Sequence, residues 1–210
     1  MDIFNNMNES EGMEELTAFS FFRRPIRNIE PIRAVTIVDM YRYVASTYAK
    51  SRTEILRSFQ PMSPEAKKYK ANNFDFCTFS GVFHRRNSSE FIAHSGLMCI
   101  DFDHVTDIPQ FRERLLHHDY FDTELMFISP SGNGIKWIIK VDIRNWSHSR
   151  YYHSVVNCLS ATGLSDIDMS GSDVCRSCYL PYDPNVFINP KYNNYVEENI
   201  FRSRMGECPF

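Results

Sequence analysis

The order of regular elements after residue 95 limits the fold more than any other feature of this sequence. An apolar run at Leu97–Ile100 predicts a buried strand, and Ile108–His118 has helical spacing. Two strand-like runs, Leu125–Ser129 and Ile135–Val141, flank a turn, and an amphipathic helix follows at Ser147–Ala161. This order is an α+β pattern of RRM-like type and not an alternating βαβ series. It consists of a strand, a helix, a hairpin and a second helix, with a further strand after them.

The chain before residue 96 predicts a second module of mixed helix and strand. Phe19–Ile37 mixes aromatics with arginine and proline, and we interpret it as an extended arm and loop. Val38–Phe59 has helical spacing with a break near Lys50. The other elements predicted in this part are a short helix at Glu65–Lys70 and strands at Phe74–Phe83 and Glu90–His94.

The formal net charge of −3 conceals an uneven distribution. Residues 1–18 hold five acids and no base, residues 19–86 hold thirteen Lys and Arg against five Asp and Glu, and residues 87–210 hold ten against sixteen. Such asymmetry indicates an anionic partner. Aromatics interleave with the basic residues of the middle segment, a pattern typical of grooves that bind single strands. We take Arg85 and Arg86, in a predicted turn, as candidate DNA contacts.

These patterns divide the chain into four parts. We predict an acidic flexible tail at 1–18, a basic αβ module at 19–95, an RRM-like catalytic module at 96–190 and a C-terminal extension at 191–210, with a last helix near 195–204. The N-terminus lacks the apolar segment of a signal peptide, and no apolar run is long enough for a membrane span. We therefore expect a cytoplasmic protein without a membrane partner. Its six cysteines are expected to be reduced, and Cys175 and Cys178 to be buried thiols and not zinc ligands.

The segment LMCIDFDHV places two acids at the end of the first strand of the RRM-like module. Asp101 and Asp103 are two residues apart, so on a strand their side chains share one face. Neighbouring carboxylates repel unless a cation lies between them, and hard oxygen ligands suit Mg²⁺ or Mn²⁺. A solvated strand end is the alternative interpretation.

The segment ISPSGNGIKWII combines glycines with serines between two strands. Backbone amides in such a turn can surround an anion, and Lys136 could add a positive charge to it. An ordinary hairpin turn with a solvent-facing lysine is the alternative, and without other motifs we favour it. Ser129, Ser131, Gly132, Gly134 and Lys136 are the candidates for nucleotide binding.

A third acidic segment, DIDMSGSDVCRSC, offers Asp166, Asp168 and Arg176. A carboxylate from another strand would complete a metal site with the first pair, and an arginine can bind phosphate through two parallel hydrogen bonds. An internal Arg–Asp pair within a loop explains the same residues. The isolated His94 beside the first acidic strand is interpreted as a structural residue.

Three segments, HSGLMCIDFDHV, FISPSGNGIKWII and DIDMSGSDVCRSCYLPYDPNVFIN, occur in this order and resemble the VirE N-terminal (primase-like) domain of Bacteroidetes mobile-element proteins. The resemblance covers about residues 19–190 and includes the upstream FSGVFHRR. It implies the archaeo-eukaryotic primase (Prim-Pol) superfamily. The implied fold is an N-terminal αβ module packed on an RRM-like module, with the active site in the cleft between them.

The resemblance also implies roles for single residues. The acidic first motif of the superfamily falls on Asp101 and Asp103, and its third motif falls on Asp168, with Asp166 as the rival. The loop arginine of the family falls on Arg176. Ser131 and the glycine turn match the second motif, but Lys136 stands where the family has a histidine. Lysine can neutralise a triphosphate, but it cannot act as a neutral imidazole.

We therefore expect a primase–polymerase-like nucleotidyltransferase that acts on DNA in mobile-element replication. Asp101, Asp103 and Asp168 would hold Mg²⁺ or Mn²⁺, and the expected partners are nucleoside triphosphates, single-stranded or template DNA and a helicase of the same element. A catalytically weak or inactive DNA-binding relative is the alternative that Lys136 motivates. A metal-dependent nuclease would use the same three carboxylates.

Overall fold

The fold is α+β, as predicted, in a computed structural model that describes residues 17–197. The elements of its N-terminal part are β1 (Ala18–Phe22), β2 (Arg33–Thr36), α1 (Ile37–Ala45), α2 (Lys50–Ser58), α3 (Pro64–Asn73), β3 (Phe76–Thr78), β4 (Gly81–Phe83) and β5 (Phe91–His94). They are followed by β6 (Leu97–Phe102), α4 (Ile108–Leu116), β7 (Thr123–Ile128), β8 (Ile135–Lys140), α5 (His148–Ala161), β9 (Cys178–Tyr179) and β10 (Phe187–Ile188). Residues 1–16 of the predicted tail at 1–18 lie outside the described residues. Of the helix predicted near 195–204, residues 195–197 are helical and the remainder lies outside the described part.

The second half of the chain builds an antiparallel sheet in the order β10, β7, β8 and β6. The segment after α5 adds one bridge at the free edge of β6, between Ile167 and Phe102. From that edge the order is therefore the Ile167 segment, β6, β8 and β7, which is the RRM-like order with β10 as an extra strand.

Alternation along β6 separates its two faces. Met98, Ile100 and Phe102 enter a core that α4 and α5 cover, whereas Leu97 and Cys99 face the opposite core. Asp101 is two residues beyond Cys99, so it lies on the face turned away from the helices.

No helix among residues 17–197 is long and apolar enough to cross a membrane.

A second antiparallel sheet, in the order β2, β1, β3 and β9, packs on that opposite face. Its core joins residues of both halves, such as Phe19 from β1 and Phe127 from β7. Strand β9 comes from the C-terminal half of the chain and pairs with β3, Cys178 opposite Cys77. The two halves therefore share one core.

Two N-terminal predictions are wrong. Phe19–Ile37 is not an extended arm and loop, because β1 and β2 pair with each other and the aromatics of β1 enter the core. Phe74–Phe83 is not one strand, since β3 joins β1 whereas β4 pairs with β5 in a separate two-stranded sheet. The chain changes sheets at Ser80, where the Ser80 carbonyl accepts from the amide of Ser95.

The β7–β8 hairpin packs tightly against the end of β6 at Gly134. A Cβ atom at this position would lie 2.4 Å from the carbonyl oxygen of Phe102. The backbones of Gly134 and Phe102 both take part in the hydrogen bonds of the sheet and its hairpin, so neither can move away without loss of hydrogen bonds. Only glycine fits at this point of the hairpin.

We expect Gly134→Ala to lower the free energy of unfolding by about 1–3 kcal/mol, the usual cost of overpacking. Urea denaturation measures this change. Ser131→Ala, on the exposed part of the same turn, is the control and should stay within about 0.5 kcal/mol of the wild type. Equal stability of both variants would contradict the close approach.

Candidate active site

The three predicted carboxylates meet at the free edge of β6. Asp101 lies within the strand and Asp103 directly follows it, while the amide of Asp168 donates to the carbonyl of Asp101 at 2.9 Å. The amide of Asp103 also donates to the carbonyl of Asp166, at 3.4 Å. One carboxylate oxygen from each of Asp101, Asp103 and Asp168 lies within 4.8 Å of the others. We call these residues the acidic triad.

Asp168 is held by several independent contacts. Its carboxylate caps the short 3-10 helix Met169–Ser172, accepting from the amide of Ser170 at 2.9 Å and from the Ser170 hydroxyl at 2.5 Å. Arg176 donates to the same carboxylate at 2.9 Å, and the Tyr152 hydroxyl donates to the Asp168 carbonyl at 2.7 Å. Burial alone would raise the pKa of Asp168, but the Ser170 bonds and the charges of Arg176 and Lys136 lower it overall. The carboxylate of Asp168 is therefore fixed in position, and its surroundings favour the ionised form.

Asp101 faces Lys136 directly across the β6–β8 ladder, and the ammonium group forms an ion pair with Oδ2 of Asp101. The other oxygen, Oδ1, is buried and has no hydrogen-bond partner. The buried hydroxyl of Ser129 is also without a partner. A buried polar atom without a partner is costly, so both atoms are candidates for contact with a bound group.

The triad lies in a cavity of about 330 Å³ between the two halves of the chain. Four cationic side chains line it together with the acids, namely Lys70, Arg86, Lys136 and Arg176. The first two come from the N-terminal half. Burial lowers the pKa of Lys70, and the charge of Lys136 adds to this effect, whereas Asp103 opposes it. A partly desolvated ammonium group among other cations favours an anionic ligand.

The glycine-rich hairpin contributes less to this cavity than the sequence indicates. Ser129 and Ser131 line the cavity, but Gly132 and Gly134 are not among its lining residues. The amide of Gly132 donates to the Ser129 carbonyl at 2.9 Å, so the turn uses this donor internally. Gly132 has a φ of 85°, and thus serves the turn itself.

Arg57 of α2 is a positioning residue that the sequence did not single out. Its guanidinium donates to the carbonyls of Ser129 and Pro130, both at 3.3 Å. Burial lowers its pKa, and the charge of Asp183 opposes that change. Arg57 therefore attaches the hairpin to the N-terminal half. The residues around it in the sequence, 54–60, gave no signal of this role.

In two pairs of predicted site residues, one member belongs to the cavity of the triad and the other does not. Arg86 lines the cavity, whereas Arg85 is exposed and pairs with Glu30 at 3.6 Å. Asp168 joins the triad, whereas Asp166 is exposed and lines a neighbouring cavity of about 590 Å³, to which Asp103 also contributes. Asp168, and not Asp166, is therefore the third member of the triad.

A histidine pair supports the loop that carries Asp168. The Gly96 amide donates to Nδ1 of His94 at 2.9 Å, so the proton of His94 is on Nε2, which lies 3.1 Å from Nδ1 of His148. Nε2 of His148 lies 2.9 Å from the carbonyl of Gly171 in the 3-10 helix. Burial, with His148 beside it, lowers the pKa of His94 to about 4.

The thiols of Cys175 and Cys178 are buried, as predicted.

Fold and site together define an α+β domain with an acidic triad at the edge of an RRM-like sheet, beneath a cluster of cations. Residues 68–187 match the family model BT4734-like, N-terminal domain, and the chain belongs to this family. The match contains the whole triad and all four cavity cations. No curated protein and no solved structure matches the chain.

The neutral histidine pair makes stability depend on pH. The pKa of His94 is about 4 when folded and about 6.5 when unfolded, so the unfolded chain binds the proton first as the pH falls. We expect His94→Gln to reduce the loss of stability between pH 6.5 and 4, by at most about 1.4 kcal/mol per pH unit. Urea denaturation across this range measures it. The exposed His117→Gln is the control, and an unchanged pH profile in His94→Gln would contradict the assignment.

Proposed function

We propose that this domain is a metal-dependent nucleotidyltransferase of the primase–polymerase type that acts on DNA in mobile-element replication. The observation that carries the proposal is the joint occurrence of the acidic triad and four cationic side chains in one cavity. Such a cavity suits a triphosphate with its divalent cation, since it offers oxygen ligands for the metal and cations for the phosphates. The ordered resemblance to primase-like domains supports the same reaction class.

The donor set fits Mg²⁺ or Mn²⁺. It consists of three carboxylates, which are hard oxygen ligands, and no thiol or imidazole belongs to the group. Oδ1 of Asp101 is buried without a partner, so it is available as a ligand even though Lys136 is bound to Oδ2. Bound metal would lower the pKa of an attacking 3′-hydroxyl and offset the charge that develops on the triphosphate.

The side chains around the triad have distinct tasks in this proposal. Lys136 and Arg176 each bind a triad carboxylate, so they keep the acids in place and lie beside the phosphates. Lys70 and Arg86 approach from the N-terminal half and bind the outer phosphates. The Ser129 hydroxyl donates the hydrogen bond that it lacks within the protein. Positioning and charge neutralisation of this kind account for most of the catalysis in phosphoryl transfer.

One observation favours a second candidate, a DNA-binding replication protein with weak or no catalysis. The ammonium group of Lys136 already occupies one oxygen of Asp101, and it can displace a metal from the triad. In both versions the partners are nucleoside triphosphates, single-stranded or template DNA and a helicase of the element, in the cytoplasm. Only the first version requires nucleotide incorporation.

We expect Asp168→Asn to lower nucleotide incorporation on a primed or unprimed DNA template by at least about 100-fold, since metal charge stabilisation amounts to several kcal/mol. The assay uses Mn²⁺ with NTPs or dNTPs and radiolabelled product. Asp166→Asn is the matched control and should retain activity. Equal activity of Asp168→Asn and wild type refutes the site, strand cleavage indicates a nuclease, and binding without incorporation favours the second candidate.

We expect Lys70→Gln to raise the KM for the triphosphate by about 10- to 100-fold, the effect of one lost charge-assisted hydrogen bond. Lys67→Gln, an exposed position on the same helix, should leave the KM unchanged. Steady-state incorporation kinetics at constant ionic strength measure both. An equal effect of the two substitutions would show a general loss of positive charge and not a contact at the cavity.

A further inference from the structure

A fully buried carboxylate organises a second charged cluster, outside the cavity of the triad. Asp75, directly before β3, is 0% exposed. It accepts from the backbone amide of Arg24 at 3.0 Å, from the guanidinium of Arg24 at 3.4 Å and from the Tyr43 hydroxyl at 2.8 Å. These contacts satisfy the hydrogen-bonding needs of a buried carboxylate.

Two further guanidinium groups approach the same acid without hydrogen bonding to it. Nη1 of Arg23 lies 3.6 Å and Nη1 of Arg52 lies 3.7 Å from Oδ2 of Asp75. Asp75 is the one acid to which these three arginines have an ion pair among the described residues. Three guanidinium charges and one carboxylate leave a net charge of about +2, and Arg23 and Arg24 are both exposed. The cluster therefore has a surplus of positive charge at the surface.

An exposed aromatic ring is fixed within this cluster. Tyr48 is 46% exposed, although the Arg52 guanidinium lies over its ring at 4.4 Å from the centroid. The guanidinium of Arg23 donates to the Tyr48 hydroxyl at 2.5 Å. Burial raises the pKa of Tyr48, but hydrogen bonds from Arg52 and Arg24 outweigh it and lower the pKa overall. An immobilised aromatic ring beside surplus cations is the combination that single strands require, a stacking surface with phosphate contacts.

The cluster is close to the cavity along the chain. Arg24 is followed by Pro25 and Ile26, and Ile26 lines the cavity of the triad. The amide of Ile26 donates to the carbonyl of Ala71 at 2.8 Å, beside the cavity residue Lys70. Arg23 and Ile26 are three residues apart, so their Cα atoms are separated by at most about 11 Å. A strand bound at the cluster can therefore continue towards the triad.

We propose that Arg23, Arg24, Arg52 and Tyr48 form a subsite for single-stranded nucleic acid, with a backbone phosphate on the arginines and a base stacked on Tyr48. Duplex DNA does not offer an unpaired base to the ring, so the subsite prefers single strands. That the bound strand is the template rests on the proposed function. Strand binding itself requires neither metal nor catalysis.

The test measures the binding of a fluorescein-labelled oligo(dT) of 20 nucleotides to the whole chain by fluorescence anisotropy, in EDTA and over a series of salt concentrations. Arg23→Gln removes one phosphate contact, and Arg27→Gln removes an exposed arginine of the same segment as the matched control. Tyr48→Leu removes the stacking surface, and Tyr48→Phe retains it. Thermal unfolding of each variant establishes that it is folded.

We expect Tyr48→Leu to weaken binding at least fivefold and Tyr48→Phe to change it less than twofold, following the usual contribution of base stacking. Arg23→Gln should reduce the slope of log K against log salt by about 0.7, and Arg27→Gln should not change it. Equal effects of the two arginine variants, unchanged affinity of Tyr48→Leu or tighter binding of duplex would each overturn the subsite. A chain that binds the strand at this cluster but never incorporates nucleotide would refute the proposed function alone.

Discussion

One carboxylate oxygen from each of Asp101, Asp103 and Asp168 lies within 4.8 Å of the other two, so the rest of the fold must offset the mutual repulsion of three negative charges. Like charges at this distance raise each other's pKa unless cations or hydrogen bonds compensate. Lys136 opposes Asp101, while Arg176 and Ser170 hold Asp168 and lower its pKa. The compensation is incomplete, because Oδ1 of Asp101 stays buried without a partner. The proposed metal ion would complete it.

The fold keeps the acids together through backbone contacts from distant segments. A single antiparallel bridge, with the Asp168 amide on the Asp101 carbonyl, adds the third acid to β6. Tyr152 and His148, both on α5, bind the segment that carries Asp168. The shared core of the two halves then places Lys70 and Arg86 opposite the acids. Residues 68–187, the part that matches the family, contain all of these groups, whereas the arginines of the second cluster precede that part.

The sequence patterns predicted those features of the fold that depend on residues close together in the chain. The alternation in LMCID gives the face of Asp101, and the helical spacings give the positions of most helices. The sequence did not show that Lys70 and Arg57 belong to the site, because a lysine or arginine on a polar helix is expected in solvent. Their roles depend on residues 33 to 106 positions away in the chain, such as Asp103 and Arg176 for Lys70 and Pro130 for Arg57. The prediction of one strand at Phe74–Phe83 failed for a similar reason, because the change of sheet at Ser80 depends on its contact with Ser95.

In the proposed function, the acidic triad binds a divalent cation beside a triphosphate. Crystals of the chain soaked with Mn²⁺ and a non-hydrolysable nucleoside triphosphate analogue, measured at a wavelength where manganese scatters anomalously, test it most directly. We expect an anomalous peak for manganese ligated by Asp101, Asp103 and Asp168, with the phosphates on Lys70, Lys136 and Arg176. Well-ordered density for the analogue with no manganese peak at the triad would be evidence against the proposed site.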